Sequence, residues 1–329
     1  MSSPWPSASA SQPPIVHYPS IAGAHTDLIA SAANVGAIYE IAAAAIPLPH
    51  VPVAPVAKNT RSGKGSNQSV AAVRVGGAVT FISKIGKDAF GDIALATWRR
   101  EGIDAQVSQS ADSPTGAAYI FVNDKTGENA IIVVAGAAGT IAPRDVEAAA
   151  DAIRRSRVFM TQLEQPVAAA RRGLEIARDA GVTTVFNPAP AEPFDAAIYR
   201  LVDYMTPNES EAAALVGFPV VSLDDARRAG EALLAKGVGA AVVTLGEKGA
   251  LFHGAGQSVL VPAFNAGPVV ETTGAGDAFN GGFAVALARG MDPVEAARFG
   301  CAVAGISVTR PGTAPSMPTL AEVEALLAK

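Results

Sequence analysis

The sequence predicts an α/β fold: a doubly wound, mainly parallel sheet between helices, with a small β lid. Three observations predict it. From about Val79 onward, short β-branched runs alternate with longer helical patterns, the order that βαβ units give when a parallel sheet is stacked between helix layers. One hairpin pattern interrupts the alternation, which sets a small sheet apart from the main one. A chain of 329 residues that is 49% hydrophobic and 17% charged also has the apolar surface for one large domain with an appendage.

The elements follow in chain order. The N-terminal MSSPWPSASASQPP has no early basic residue and no apolar run of signal-peptide length, so residues 1–18 read as a disordered, uncharged tail. The domain is expected over 19–329. The apolar-looking stretch AIYEIAAAAIPLPHVPVAPVA (37–57) contains Glu40, His50, Pro47, Pro49, Pro52 and Pro55, a composition that excludes a continuous membrane helix. The irregular segment of about 28–58 is the first candidate lid piece. VTFI (79–82) is a strand candidate ahead of a helix that opens at Asp88 and closes before Gly102. AAYIFV (117–122) and AIIVV (130–134) flank the turn-rich NDKTGEN and predict an antiparallel hairpin, making about 113–135 the second lid piece. VFM (158–160), TTVF (183–186), YMT (204–206) and AAVVTL (240–245) continue the main sheet, separated by amphipathic segments such as PVAAARRGLEIARDAG. No internal repeat is present.

Charge and composition exclude several function classes. A net charge of −5 with scattered basic residues gives no electrostatic footprint for nucleic acid or for a membrane surface. The single cysteine, Cys301, has no partner for an internal disulfide or a cysteine metal site, which fits a reducing cytoplasm. The Walker pattern is absent, because Gly63-Lys64 is followed by Gly65, and no G-x-G-x-x-G opens a helix after the first strand.

The stretch ETTGAGDAFNGGF (271–283) carries the chemistry. Phe279, Phe283 and Leu287 fall at helical spacing and Gly290 supplies a stop, so a helix is predicted to begin at about Asp277. Gly274, Ala275 and Gly276 then sit at its N-terminus, where small residues let a ligand approach and unpaired N–H groups hold an anion. Two readings of Asp277 stand side by side: an ordinary helix cap, or a base aimed at the acceptor of a phosphate.

Together with SGKGSNQSVAA (62–72), QLEQP (162–166), NPAPA and TPNESEA (187–191 and 206–212) and TRPGTAPSMP (309–318), this turn resembles the signature of the ribokinase-like carbohydrate kinase family. The resemblance runs from Ile21 to about Pro318. It implies ATP-dependent phosphorylation of a sugar hydroxyl, with D-ribose, giving ribose 5-phosphate, as the first expectation. Fructose, ketodeoxygluconate and adenosine or another nucleoside are alternative acceptors, and a non-catalytic sugar- or nucleotide-binding regulator is a further alternative. Asp277 is implied as the base, with backbone N–H groups around Gly274, Ala275 and Gly276 stabilising the transferring phosphoryl group.

The same resemblance implies sugar contacts at Asp27, Gly63, Lys64, Gly65, Asn67 and Glu164, with His25 standing two residues before Asp27. Without it, Lys64 and Asn67 read as a solvated loop and Glu164 as a surface helix start. ATP contacts are implied at Asn208, Glu211, Thr244, Leu245, Gly246, Gly249, Gly276 and Cys301. Asn208 with Glu211 is also a capping box before ESEAAALV, and Glu211 is implied to organise magnesium through water. Cys301 reads equally as an inert buried thiol. A monovalent cation, potassium, is implied at Glu271, Thr273, Ser307, Arg310, Gly312 and Ser316, the middle ones through backbone carbonyls. Lid strands of this family often pair between subunits, which implies a homodimer.

The chain departs from the family pattern at three places. His25 stands where the family has Asn, Ser62-Gly63 replaces paired glycines, and Glu271 replaces Asp. The segment between Asp27 and Ser62 is longer, richer in Ala and Pro, and lacks the Pro-Gly-Glu-Thr turn. These changes leave the acceptor open and touch neither Gly274, Gly276 nor Asp277.

Overall fold

The structure, a computed structural model, describes residues 28–32, 36–39, 63–122 and 129–329. The expected tail (1–18), His25, Asp27 and most of the first lid piece lie outside them. In chain order the strands are β1 (Leu28–Ala32), β2 (Gly36–Tyr39), β3 (Ala78–Gly86), β4 (Asp104–Ser110), β5 (Gly116–Val122), β6 (Asn129–Val134), β7 (Val158–Thr161), β8 (Thr183–Phe186), β9 (Tyr204–Met205), β10 (Ala240–Thr244), β11 (Ala250–Gly254) and β12 (Gln257–Val261). The helices are α1 (Lys64–Arg74), α2 (Ala89–Glu101), α3 (Pro143–Glu147), α4 (Ala150–Arg155), α5 (Val167–Asp179), α6 (Glu209–Val216), α7 (Leu223–Lys236), α8 (Ala275–Ala288), α9 (Pro293–Ser307) and α10 (Leu320–Leu327).

A nine-stranded sheet runs in the order β12-β11-β10-β9-β8-β7-β1-β3-β4. Every pairing from β10 to β4 is parallel, and β11 and β12 add an antiparallel edge. The inner parallel strands β7, β8 and β10 are short and buried because helices cover both faces. Adjacent residues feed opposite cores: Phe81, Met160, Val185 and Val242 pack with α1, α2, α8 and α9, whereas Ile82, Phe159, Phe186 and Ala241 pack with α3, α4 and α5. That alternation is the two-residue period of a strand.

A second sheet, β2-β5-β6, stands apart. The predicted hairpin is its β5-β6 pair, antiparallel from Ala117↔Val134 to Val122↔Asn129, and β2 adds in parallel to β5. One expectation changes here. The segment expected to open the lid at residue 28 begins instead with β1, a central strand paired in parallel to both β3 and β7, and the second sheet starts only at Gly36. Five short residues, LIASA, carry too little pattern to reveal that a strand is paired on both edges.

Local signals give several boundaries. Asp88 caps α2 by accepting from the Gly91 N–H at 2.8 Å, and Gly102 closes it in the left-handed region at φ 79°. Strand β4 was not foreseen: DAQVSQS is polar because it lies at a sheet edge. Among the described residues no helix is long and apolar enough to cross a membrane.

Helices α1 and α8 pack closely at their N-terminal halves. A Cβ on Gly281 would lie 2.6 Å from the Ala71 Cβ and 2.6 Å from the Gln68 carbonyl oxygen, so only glycine permits this approach. Trp98 of α2 donates to the Ser66 hydroxyl at 3.0 Å, and Arg74 binds Glu101 and the carbonyls of Ala314 and Met317, which fixes α1 at both ends. Gly281→Val is expected to cost roughly 1–3 kcal/mol by overpacking this seam, read as a lower denaturant midpoint.

Candidate active site

The glycine turn forms a helix start two residues earlier than expected. Gly274 is the N-cap of α8, in the left-handed region at φ 84°, and makes no side-chain cap bond. Ala275 and Gly276 are helical because glycine takes the one unusual dihedral at the cap. The Ala275 N–H donates to the Thr272 carbonyl at 3.1 Å, which leaves the Gly276 and Asp277 N–H groups as the donors of a first turn that has no intrahelical partners for them.

Asp277 is therefore not the cap. Its carboxylate is buried and turned toward α1, where Asn67 Nδ2 donates to Oδ2 at 2.9 Å and Gln68 Nε2 donates to Oδ1 at 3.1 Å. The solvated-loop reading of Lys64 and Asn67 also fails. Gly63 is the extended N-cap of α1, Gly65 is buried with its carbonyl accepting from Ser69 Oγ, and Lys64 is half-buried in the first turn. The Lys64 N–H donates to Glu164 Oε2 at 2.7 Å, so the carboxylate of QLEQP caps this helix from across the sheet.

Three carboxylates surround the Lys64 charge. The Asp277 carboxylate, with smaller contributions from Glu164 and Glu211, raises the Lys64 pKa against the opposing effect of burial. Burial pushes Glu164 up to about 7, only partly offset by Lys64. Burial likewise raises Glu211, while the Asn208 N–H and Lys64 pull it down.

Beside the turn opens a cavity of about 600 Å³ whose lining includes Asn208, Thr244, Gly246, Gly249, Gly276 and Cys301. These six, brought together from four parts of the chain, are all among the residues expected on the nucleotide side, and Gly276 also belongs to the turn beside Asp277. Leu245 differs: it is buried among Ala212, Val243 and Leu251 and does not line the cavity. Asn208 and Glu211 form the expected capping box, with bonds of 2.8 and 2.9 Å, which keeps the Glu211 carboxylate at the helix start behind the cavity wall. The Cys301 thiol is buried, and desolvation pushes it up to about 12, so it lines the cavity as an unreactive thiol.

The residues expected at the cation site bring two loops together. Glu271 Oε2 accepts from the Gly312 N–H at 2.7 Å. The hydroxyls of Ser307 and Ser316 donate to the carbonyls of Ala304 and Thr313, and the Arg310 guanidinium pairs with Glu322, so its side chain is engaged elsewhere. Thr273 is exposed.

Sequence reasoning passed over Gln68, Gln162, Asn187, Thr206 and Asn280, which form a buried network under Asp277. All five stand inside the quoted motifs, Asn280 within ETTGAGDAFNGGF itself. The available signal was several uncharged polar side chains at the ends of apolar strands.

A buried carboxylate beside free helix-terminal N–H groups, next to a large cavity at the carboxyl ends of a parallel sheet, is the arrangement of a phosphoryl-transfer site. Residues 45–320 match the pfkB family carbohydrate kinase, and the chain belongs to that family. The ribokinase of Haemophilus influenzae is 39% identical over 261 residues, 79% of this chain and 85% of that protein. The deoxyribokinase of Salmonella typhi is 35% identical over 269 residues, 81% of this chain and 87% of its own length. A solved structure of Arabidopsis thaliana ribokinase complexed with ribose and ATP has a TM-score of 0.81 at 27% identity, covering 92% of this chain and 98% of that one.

Because the folded state holds the Glu164 proton more tightly than the unfolded chain, stability from this group is complete below the ordinary glutamate pKa. It is lost as pH rises toward about 7. Glu164→Gln is expected to flatten that slope, measured as Tm against pH with and without the substitution.

Proposed function

We propose that this protein transfers the terminal phosphoryl group of ATP to a hydroxyl of ribose, yielding ribose 5-phosphate and ADP. One observation carries the reading: Asp277 stands in the first turn of α8, fixed by Asn67 and Gln68, next to the N–H groups of the glycine turn. Asp277 orients the hydroxyl and takes its proton as the oxygen bonds to phosphorus. The bond to the bridging oxygen breaks, and ADP leaves with the electron pair. The Gly276 and Asp277 N–H groups stabilise charge on the transferring group.

Glu164, Lys64, Gly63, Gly65 and Asn67 contribute the sugar side, joined by Asp27 and His25 from outside the described residues. Asn208, Thr244, Gly246, Gly249 and Cys301 contribute the nucleotide side. The ribokinase relatives support ribose as acceptor, and the deoxyribokinase relative makes deoxyribose the second choice. A non-catalytic regulator would have no need of a carboxylate fixed beside a phosphate site.

The residues present fit two cations. Magnesium suits Glu211 through water, its carboxylate lying within electrostatic reach of Asp277 at the start of the helix beside the cavity. It would neutralise phosphate charge. Potassium suits the paired loops at Glu271, Thr273, Ser307, Arg310, Gly312 and Ser316, whose carbonyl and carboxylate oxygens are hard donors beside the turn. The reading extends to a cytoplasmic enzyme that dimerises through the second sheet, β2-β5-β6.

The test is ADP release with ATP, magnesium and potassium across ribose, deoxyribose, fructose, ketodeoxygluconate and adenosine, with product identified by mass. Ribose is expected to be phosphorylated fastest. Asp277→Asn is expected to lower kcat by about three or more powers of ten, and near-wild-type turnover would remove the base from the mechanism.

A further inference from the structure

The base is not held by its own helix. Behind it runs a chain of amides whose direction is set far from the reacting atoms. It begins at the Thr206 carbonyl, which can only accept a hydrogen bond. Asn187 Nδ2 donates to it at 2.8 Å, so Asn187 must turn Oδ1 the other way. Gln68 Nε2 donates to that oxygen at 3.2 Å and, with its second hydrogen, to Asp277 Oδ1 at 3.1 Å. Gln162 Nε2 donates to Gln68 Oε1 and closes the remaining side. Gln68 and Gln162 are 0% exposed and Asn187 is 5% exposed, so water has no access to replace a missing partner.

A flipped Gln68 amide would set its oxygen against two acceptors, Asp277 Oδ1 and Asn187 Oδ1, and its NH₂ against the Gln162 amino group. Only one orientation satisfies the chain. A second branch leaves the same threonine: Thr206 Oγ1 donates to Asn280 Oδ1 at 2.6 Å, and Asn280 Nδ2 donates to the Gly276 carbonyl at 2.8 Å. One residue at the end of β9 therefore orders both the base and the turn that faces the phosphate.

We propose that Gln68 is a positioning residue for phosphoryl transfer, its polarity set through Asn187 by the Thr206 carbonyl so that it fixes the Asp277 carboxylate against rotation. The inference rests on Asp277 acting as the base. With Asn67 on Oδ2 and Gln68 on Oδ1, the carboxylate plane is held at both oxygens, and each oxygen keeps a lone pair for the sugar hydroxyl. Loss of one hold leaves the carboxylate free to rotate, so that it points variably at the hydroxyl proton it is to take.

The experiment compares the full-length protein with Gln68→Met, of similar volume and without donors, and with Gln68→Glu, near in shape but presenting oxygen to Asp277. Both are expected to lower kcat about 100-fold, the effect of a small misplacement of a reacting group. KM for ribose and for ATP is expected to stay within about threefold, the signature of an interaction expressed in the transition state. A methionine variant with kcat within about threefold of wild type, or a loss carried by KM, would overturn the proposal. If Gln68→Met does not fold, as judged by near-UV circular dichroism and the Tm shift on adding ADP, the same comparison is read on Gln68→Glu.

Asp277→Asn is measured alongside, alone and combined with Gln68→Met. If Asp277→Asn keeps turnover, the base reading itself fails. If it loses turnover while Gln68→Met does not, only the role of Gln68 fails. The double variant is expected to lose nothing beyond Asp277→Asn alone, because Gln68 acts through that carboxylate.

Discussion

The structure depends on one constraint, the close approach of α1 to α8 that lets two amides of one helix grip the carboxylate of the other. Asn67 and Gln68 reach Asp277 only because Gly281 leaves no side chain between α8 and the Gln68 carbonyl. The same approach brings together two helix N-termini, and with them two sets of backbone donors. The SGKGSN segment and the glycine turn thus become one site by helix packing.

Electrostatics follows from that packing. Asp277, Glu164 and Glu211 share one cation, Lys64, in a partly buried setting. Desolvation dominates for Glu164 and Glu211 and raises both, whereas for Lys64 the attraction of Asp277 outweighs burial. Raising Glu164 and Glu211 eases the cost of enclosing several carboxylates away from water beside a single cation.

The sheet supplies the remaining precision. Gln162, Asn187 and Thr206 each follow directly on the ends of β7, β8 and β9, so the amide chain hangs from three adjacent parallel strands. Sites of open α/β sheets gather at these carboxyl ends because the strands stop together and the loops diverge. Rigid strands hold polar groups with less freedom than loops do, and here they hold the amides that reach the Asp277 carboxylate through Gln68.

Local patterns of the sequence determined what depends on neighbours in the chain. The alternation after Val79 gave the parallel sheet, NDKTGEN gave the hairpin, Asp88 with Gly102 bounded α2, and Asn208 with Glu211 capped α6. Periodicity and capping are properties of contiguous residues, so they survive in a one-dimensional reading. The motifs also held most of the site, and the cavity gathers Asn208, Thr244, Gly246, Gly249, Gly276 and Cys301 from them. What the chain alone left open was settled by contacts across long separations. LIASA became a central strand through pairing on both edges, Leu245 turned into the core, and Asp277 proved to be a held carboxylate instead of a cap. The bond that decides the last point joins residues 210 positions apart. No local pattern records which partner tertiary packing will set opposite a carboxylate.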